Sequence, residues 1–220
     1  VKIVEKSIEK NSSRIVLVVS AMSGVTNELI KDFKNIKNDI SDPEYDVIVS
    51  TGEQSSSALI SSLLNKKKIK SRSLLGWQIP ILTDGNHSKA RIIKINSKVL
   101  RGFLENYKVL VIAGFQGISE KNRITTLGRG GSDTTAVAIS YALGLNTCEI
   151  FTDVEGIFTS DPRIVKDANK IDSITYDEIL ELASLGSKVL HPRSVELAMK
   201  YGIRIHVRSS FDKKLGTMVV

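Results

Sequence analysis

Two runs of five apolar residues, Ile15-Val16-Leu17-Val18-Val19 and Val109-Leu110-Val111-Ile112-Ala113, break the otherwise mixed pattern of the chain. An apolar stretch without alternation fits a strand covered on both faces, as in a parallel sheet. Residues 147–151, Thr-Cys-Glu-Ile-Phe, predict a third strand and residues 203–207 a fourth. Between them, helical periodicity predicts helices near residues 25–37, 47–65, 96–106 and 132–143. Residues 1–10 read as a helix entered midway and carry no Met, so the true start of the chain is expected upstream.

Two late helices are marked at both ends. Thr175 and Glu178 form a capping box, Ile179, Leu182 and Ala183 make an apolar face, and Gly186 is the expected terminator. Pro192 suits a first helical position, and Val195, Ala198 and Met199 line one side before Gly202. Strands alternating with helices predict one α/β layered domain with a mainly parallel sheet, undivided by any repeat or low-complexity linker.

Composition changes this picture little. A chain of 220 residues, 41% hydrophobic, suffices for one substantial α/β domain or two small ones. The net charge of +7 includes Lys66-Lys67-Lys68, placed where cations suit a helix C-terminus. The basic residues are not interleaved with aromatics, and no zinc or RRM-like signature appears, so a solvated face is favoured over a nucleic-acid partner. Cys148 is the only cysteine; it precludes an internal disulfide, suits a cytoplasmic setting and reads as structural. No apolar run approaches the roughly 18 residues of a membrane span, and no signal-peptide pattern is seen.

The chemistry concentrates in Thr125-Thr126-Leu127-Gly128-Arg129-Gly130-Gly131-Ser132-Asp133-Thr134-Thr135-Ala136. Glycines let a backbone approach a ligand closely, and the N–H groups of the following helix favour an anion. Arg129 adds a planar fork for a carboxylate or phosphate. Ser132 and Asp133 stand where N-caps are recruited, so a well-capped loop is the structural reading beside the functional one. The spacing matches neither the P-loop nor the G-x-G-x-x-G fingerprint.

Other strands also run into reactive loops, where ligands of parallel sheets gather. These are Ser20-Ala21-Met22-Ser23-Gly24-Val25-Thr26, then Gly114-Phe115-Gln116-Gly117, then residues 152–163. The first is equally a capped strand-to-helix turn. Ser50-Thr51-Gly52-Glu53-Gln54 interrupts a helical pattern with a glycine about 1 kcal/mol worse than alanine. Glu53 there is either a buried carboxylate for an amino group or a solvent-facing glutamate.

Together these segments resemble the catalytic domain of the aspartokinases, within the amino-acid kinase family. The resemblance runs in family order through residues 20–26, 50–54, Gly76-Trp77, 113–117, 125–136, 152–163 and 182–193, nearly the whole chain. Its most specific parts are residues 127–133, the Thr-Asp-Val-x-Gly-Ile segment and Lys-Val-Leu-His-Pro-Arg. It implies a three-layer α/β/α sandwich around a mainly parallel sheet, in one catalytic domain over residues 1–220. It implies transfer of the ATP γ-phosphoryl group to the β-carboxylate of L-aspartate, the first step toward lysine, threonine and methionine.

By the same resemblance, Thr26, Glu53, Phe115, Arg129 and Ser132 line the aspartate site, with Glu53 on the α-amino group and Arg129 on a carboxylate. Asp133 is the catalytic aspartate, holding lysines that neutralise the transferring phosphoryl group, and Arg129 is counted with it as catalytic. Thr152, Asp153, Phe158, Arg163 and Lys188 surround ATP. Mg²⁺ is expected on ATP oxygens and water, with no protein ligand named. A carboxylate nucleophile needs no strong base, so His87, His191 and His206 have no catalytic part, and His191 reads as a helix-entry residue. The family's opening Lys-Phe-Gly-Gly strand, with its catalytic lysine, is expected before Val1; Lys2 and Lys6, in a helical pattern, do not replace it. A regulatory region is expected beyond Thr217, and a homo-oligomer for the full-length protein. The alternatives left open are an amino-acid kinase with another acceptor and a noncatalytic nucleotide-binding module.

Overall fold

The two apolar runs form the strands their pattern predicts. A computed structural model describes residues 1–11, 14–161, 164–184, 189–212 and 214–220. The chain divides into two compact units, Val1–Ile139 and Ser140–Val220.

The first unit opens with α1 (Lys2–Asn11), β1 (Ile15–Val19), α2 (Val25–Ile36), α3 (Pro43–Val49) and α4 (Thr51–Lys66). It continues through β2 (Ser71–Leu74), β3 (Ile81–Thr83), β4 (Ile92–Ile95), α5 (Ser97–Asn106) and β5 (Val109–Ala113). Then come β6 (Gln116–Ser119), β7 (Ile124–Thr126) and α6 (Gly131–Leu143), within which the division falls. Strands β1, β5 and β2 form a parallel sheet in the order β1-β5-β2, with Val19 opposite Ala113 and Leu74 opposite Ile112. All five residues of β5 are buried, as its continuous apolar run requires. Val4 of α1 and Leu64 of α4 pack with Val19, Val109 and Val111 into one core cluster. A second sheet, β4-β3-β6-β7, mixes one parallel pair with two antiparallel ones.

The second unit contains β8 (Thr147–Thr152), β9 (Ile157–Phe158), β10 (Lys170–Ile171), β11 (Ser173–Ile174), α7 (Tyr176–Ser184), α8 (Pro192–Tyr201), β12 (Arg204–Ser209) and β13 (Thr217–Val219). Its sheet runs β11-β13-β12-β8, and β9 with β10 makes a separate antiparallel pair. The predicted last strand is shifted: parallel pairing with β8 carries β12 on to Ser209, opposite Thr152. The capping box is formed, Thr175 N–H and Oγ1 donating to Glu178 Oε2 at 2.9 and 2.8 Å. Gly186, its expected terminator, lies outside the described residues. His191 caps α8, its Nδ1 accepting from Arg193 N–H at 3.4 Å, as a helix-entry residue should. Cys148 is buried in β8.

Two boundary expectations are corrected. The pattern over residues 47–65 is two helices, not one: α3 ends at Val49 and α4 begins at Thr51, with Ser50 as the cap between them and its carbonyl also accepting from Gln116 Nε2. Ser132 and Asp133 are not N-caps. The first intrahelical bond of α6 runs from Thr134 N–H to Gly130 O at 3.1 Å, so Gly130, with φ +70°, occupies the cap. Ser132 and Asp133 therefore stand in the first turn, where donors are free and negative charge is favoured.

Candidate active site

The candidate site of the first unit is built at the carboxyl ends of β1 and β5. Their parallel register brings Val19 and Ala113 to one edge, and Gly114 N–H donates to Val19 O at 3.0 Å. Three helices start beside this edge. The start of α2 meets that of α4 where a Cβ on Gly52 would lie 2.8 Å from Ala21 Cβ and 3.3 Å from Val25 Cγ1. That close approach explains a glycine which, by helix propensity alone, weakens α4. The start of α6 meets the end of β5 where a Cβ on Gly114 would lie 2.7 Å from Ser132 Oγ and 2.9 Å from its Cα. Overpacking of this kind costs about 1–3 kcal/mol. Gly114→Ala is accordingly expected to lower the melting temperature by several degrees. An unchanged thermal midpoint would show that Ser132 is free to move aside.

Glu53 is buried, 4% exposed, so the solvent-facing reading is overturned. Its Oε1 accepts from Ala21 N–H at 3.1 Å, whereas Oε2 is buried with no hydrogen-bond partner. Burial pushes the carboxyl above the ordinary glutamate range, and the Ala21 amide offsets only part of this. An orphaned acceptor costs about 1–3 kcal/mol, so the position is worth holding only for a partner. A cationic donor such as an ammonium group satisfies the oxygen and stabilises the ionised carboxylate at once.

Phe115 takes φ +68°, a left-handed conformation that costs a residue with a Cβ about 1–3 kcal/mol. Its N–H donates to Thr135 Oγ1 at 3.2 Å, its carbonyl accepts from Leu127 N–H at 2.9 Å, and its ring packs on Phe33, Tyr45 and Val49. The same contacts dock the glycine loop. Within that loop Arg129 is exposed between Gly128 at φ +76° and Gly130 at φ +70°. Among the described residues no carboxylate pairs with its guanidinium, which stays available to a ligand anion. Thr26 and Ser132 are half-buried in the first turns of α2 and α6. Asp133 shares that turn of α6, and burial pushes its carboxyl up to about 6. The structure thus brings together Thr26, Glu53, Phe115, Ser132 and Asp133, with Arg129 on the adjoining loop.

In the second unit, Thr152 and Asp153 end β8, with Thr152 Oγ1 donating to Asp153 Oδ1 at 3.1 Å and accepting from Val154 N–H at 3.2 Å. Phe158 is in β9, opposite Lys170. A cavity of about 350 Å³ opens beside this pair, lined by Thr159, Ile171, Ser173, Ile174, Leu182 and the carboxylate-bearing Glu178 and Glu181. Arg163 and Lys188 lie outside the described residues.

The amino acid kinase family model matches residues 1–209. The chain belongs to this family. Among its relatives, the aspartokinase of Geobacillus stearothermophilus is 52% identical over 205 residues, which are 93% of this chain and 50% of that protein. The chain spans about half the length of the curated aspartokinases it matches. Among solved structures of the family, Synechocystis aspartate kinase superposes with a TM-score of 0.85 at 44% identity, over 100% of this chain and 36% of that one. E. coli aspartokinase III, in complex with aspartate and ADP, gives 0.84 at 29% identity, over 98% and 60%. The α/β class and the amino-acid kinase fold are thereby established.

Sequence reasoning passed over the groups that hold the site in place. Asp46 is fully buried, accepting from Thr126 Oγ1 and from Ser88 N–H at 2.9 Å, with His87 Nδ1 2.6 Å from its Oδ2. Burial raises its carboxyl above the ordinary range despite these bonds. Gln116, 1% exposed, donates to Ser50 O at 3.2 Å and accepts from Gln54 Nε2 at 3.2 Å, tying the residue after Phe115 to the residue after Glu53. An amide beside a glycine in Gly-Phe-Gln-Gly was the only available signal, and it does not specify a partner 62 positions away.

Proposed function

We propose that residues 1–220 are the catalytic domain of an aspartate kinase, which transfers the ATP γ-phosphoryl group to the β-carboxylate of L-aspartate. One observation carries the reading. A buried carboxylate with an orphaned oxygen stands in the first turn of α4 beside the start of α2, and an exposed guanidinium that no described carboxylate pairs precedes α6, whose start meets the end of β5. A ligand bearing one ammonium and two carboxylates complements that arrangement, and the similarity to aspartokinases agrees with it.

On this reading Glu53 holds the α-amino group, Arg129 grips a carboxylate, and Thr26, Phe115 and Ser132 complete the acceptor site. The acceptor carboxylate is already ionised at neutral pH, so the barrier is the repulsion between it and the phosphates. Positioning and charge compensation are then the main catalytic terms. Asp133 holds cationic side chains toward the transferring group. Thr152, Asp153 and Phe158, with Arg163 and Lys188, bind the nucleotide. The nearby cavity, bearing Glu178 and Glu181, suits its uncharged base and sugar better than its phosphates. Mg²⁺ supplies further neutralisation when bound to phosphate oxygens. On this reading the ion is held mostly by ATP oxygens and water, as suits Mg²⁺, which keeps several waters and binds through substrate phosphates.

Trapping of the acyl phosphate with hydroxylamine tests the proposal, using the full-length protein with ATP, Mg²⁺ and L-aspartate beside this chain alone. Aspartyl hydroxamate from L-aspartate, and none from N-acetyl-L-aspartate, is the expected result. Product with another acceptor and none with aspartate would reassign the enzyme within the family.

A further inference from the structure

Among the described residues three buried side-chain atoms lack a hydrogen-bond partner, namely Glu53 Oε2, Ser56 Oγ and Arg208 Nε. Two of the three belong to α4 and stand three positions apart. Residues at that spacing lie on one helix face, their Cβ atoms about 5–6 Å apart. Both are 4% exposed, so neither has access to bulk water.

The neighbouring hydroxyls behave differently. Ser50 Oγ donates to Val47 O at 2.9 Å, Thr51 Oγ1 to Ile48 O at 2.7 Å and Ser57 Oγ to Gln54 O at 2.8 Å. Ser61 Oγ, one turn further along, meets Ser71 Oγ at 3.1 Å. Folding back onto the carbonyl three residues earlier is the ordinary way for a helical hydroxyl to be satisfied. Ser56 does not take it, although it is buried like Ser57 and Ser61.

We propose that Ser56 is a second acceptor for the substrate ammonium, completing with Glu53 a two-point seat that distinguishes an amino acid from its deaminated analogue. An ammonium offers three donors, and a single carboxylate oxygen satisfies one of them. The hydroxyl oxygen accepts a second, one helical turn away on the same face. Charge comes from Glu53 and direction from Ser56. The inference rests on the reading of Glu53 as the amino-group ligand.

The test uses the full-length protein and two ligands, L-aspartate and succinate, which has the same carboxylates and no amino group. Binding is measured by calorimetry and phosphorylation by hydroxylamine trapping. Ser56→Ala is expected to weaken L-aspartate about tenfold, the range for one hydrogen bond to a charged group. Succinate and ATP should be unaffected. Ser56→Cys, which keeps the volume but accepts poorly, should behave in the same way and covers the case in which the alanine variant does not fold. Equal weakening of aspartate and succinate, or no change in either, would overturn the seat and leave Ser56 a packing residue. If the unaltered protein fails to phosphorylate aspartate at all, the acceptor assignment itself is wrong and the seat falls with it.

Discussion

Asp133→Asn is expected to reduce kcat by about a thousandfold, the scale at which one preorganised electrostatic group acts, while ATP affinity changes by less than about threefold. The substitution keeps the shape of the side chain and removes only its charge. It should also stabilise the ligand-free protein at neutral pH. Burial pushes the Asp133 carboxyl from its ordinary 3.8 up to about 6. Between those values the folded protein retains a proton that the unfolded chain has released. The folded state therefore loses stability as pH rises through this window, and the full penalty applies above about 6. Asparagine carries no such penalty. The variant should match its parent near pH 4 and exceed it at pH 8 by up to about 3 kcal/mol. Denaturant unfolding at the two pH values, beside steady-state kinetics, reads both effects. A variant destabilised equally at both pH values would mark Asp133 as a structural member of the first turn of α6.

Arg129→Ala is expected to raise the KM for aspartate by about ten- to a hundredfold, the loss of a charge-assisted pair of hydrogen bonds. The KM for ATP should stay within about threefold. Because the guanidinium is exposed, the effect should shrink as salt is added. Arg129→Lys should recover only part of the affinity, since an ammonium replaces the charge but not the planar fork. An unchanged aspartate KM would remove Arg129 from the acceptor site. The pattern also separates Arg129 from Asp133, one acting on ground-state binding and the other on the chemical step.

Some of this architecture is legible without coordinates because it depends on neighbours in the chain. The strands Ile15–Val19 and Val109–Ala113 follow from uninterrupted apolar runs, although only the central β5 is buried throughout, and β1, at the sheet edge, is half-buried except at Val19. The late helices follow from Thr175, Glu178, Pro192 and Gly202, residues whose bonds close within a turn of the helix. The glycine loop is recognisable because Gly128, Arg129 and Gly130 combine backbone freedom with charge in one short segment. Short strands such as Ser71–Leu74 and Gln116–Ser119 leave no such trace, for they hold polar residues and glycine and exist through pairing with distant partners.

The site follows the same division. Sequence by itself determined which chemical groups are present and their order along the chain, and through them the family. Only the tertiary structure decided that Glu53 is buried with one oxygen unmatched, that Ser132 and Asp133 lie inside α6, and that Gly52 and Gly114 are contact points between helices and strand ends. Burial and orphaned hydrogen bonds depend on what other segments bring within a few ångströms, and a local pattern holds no record of that distance.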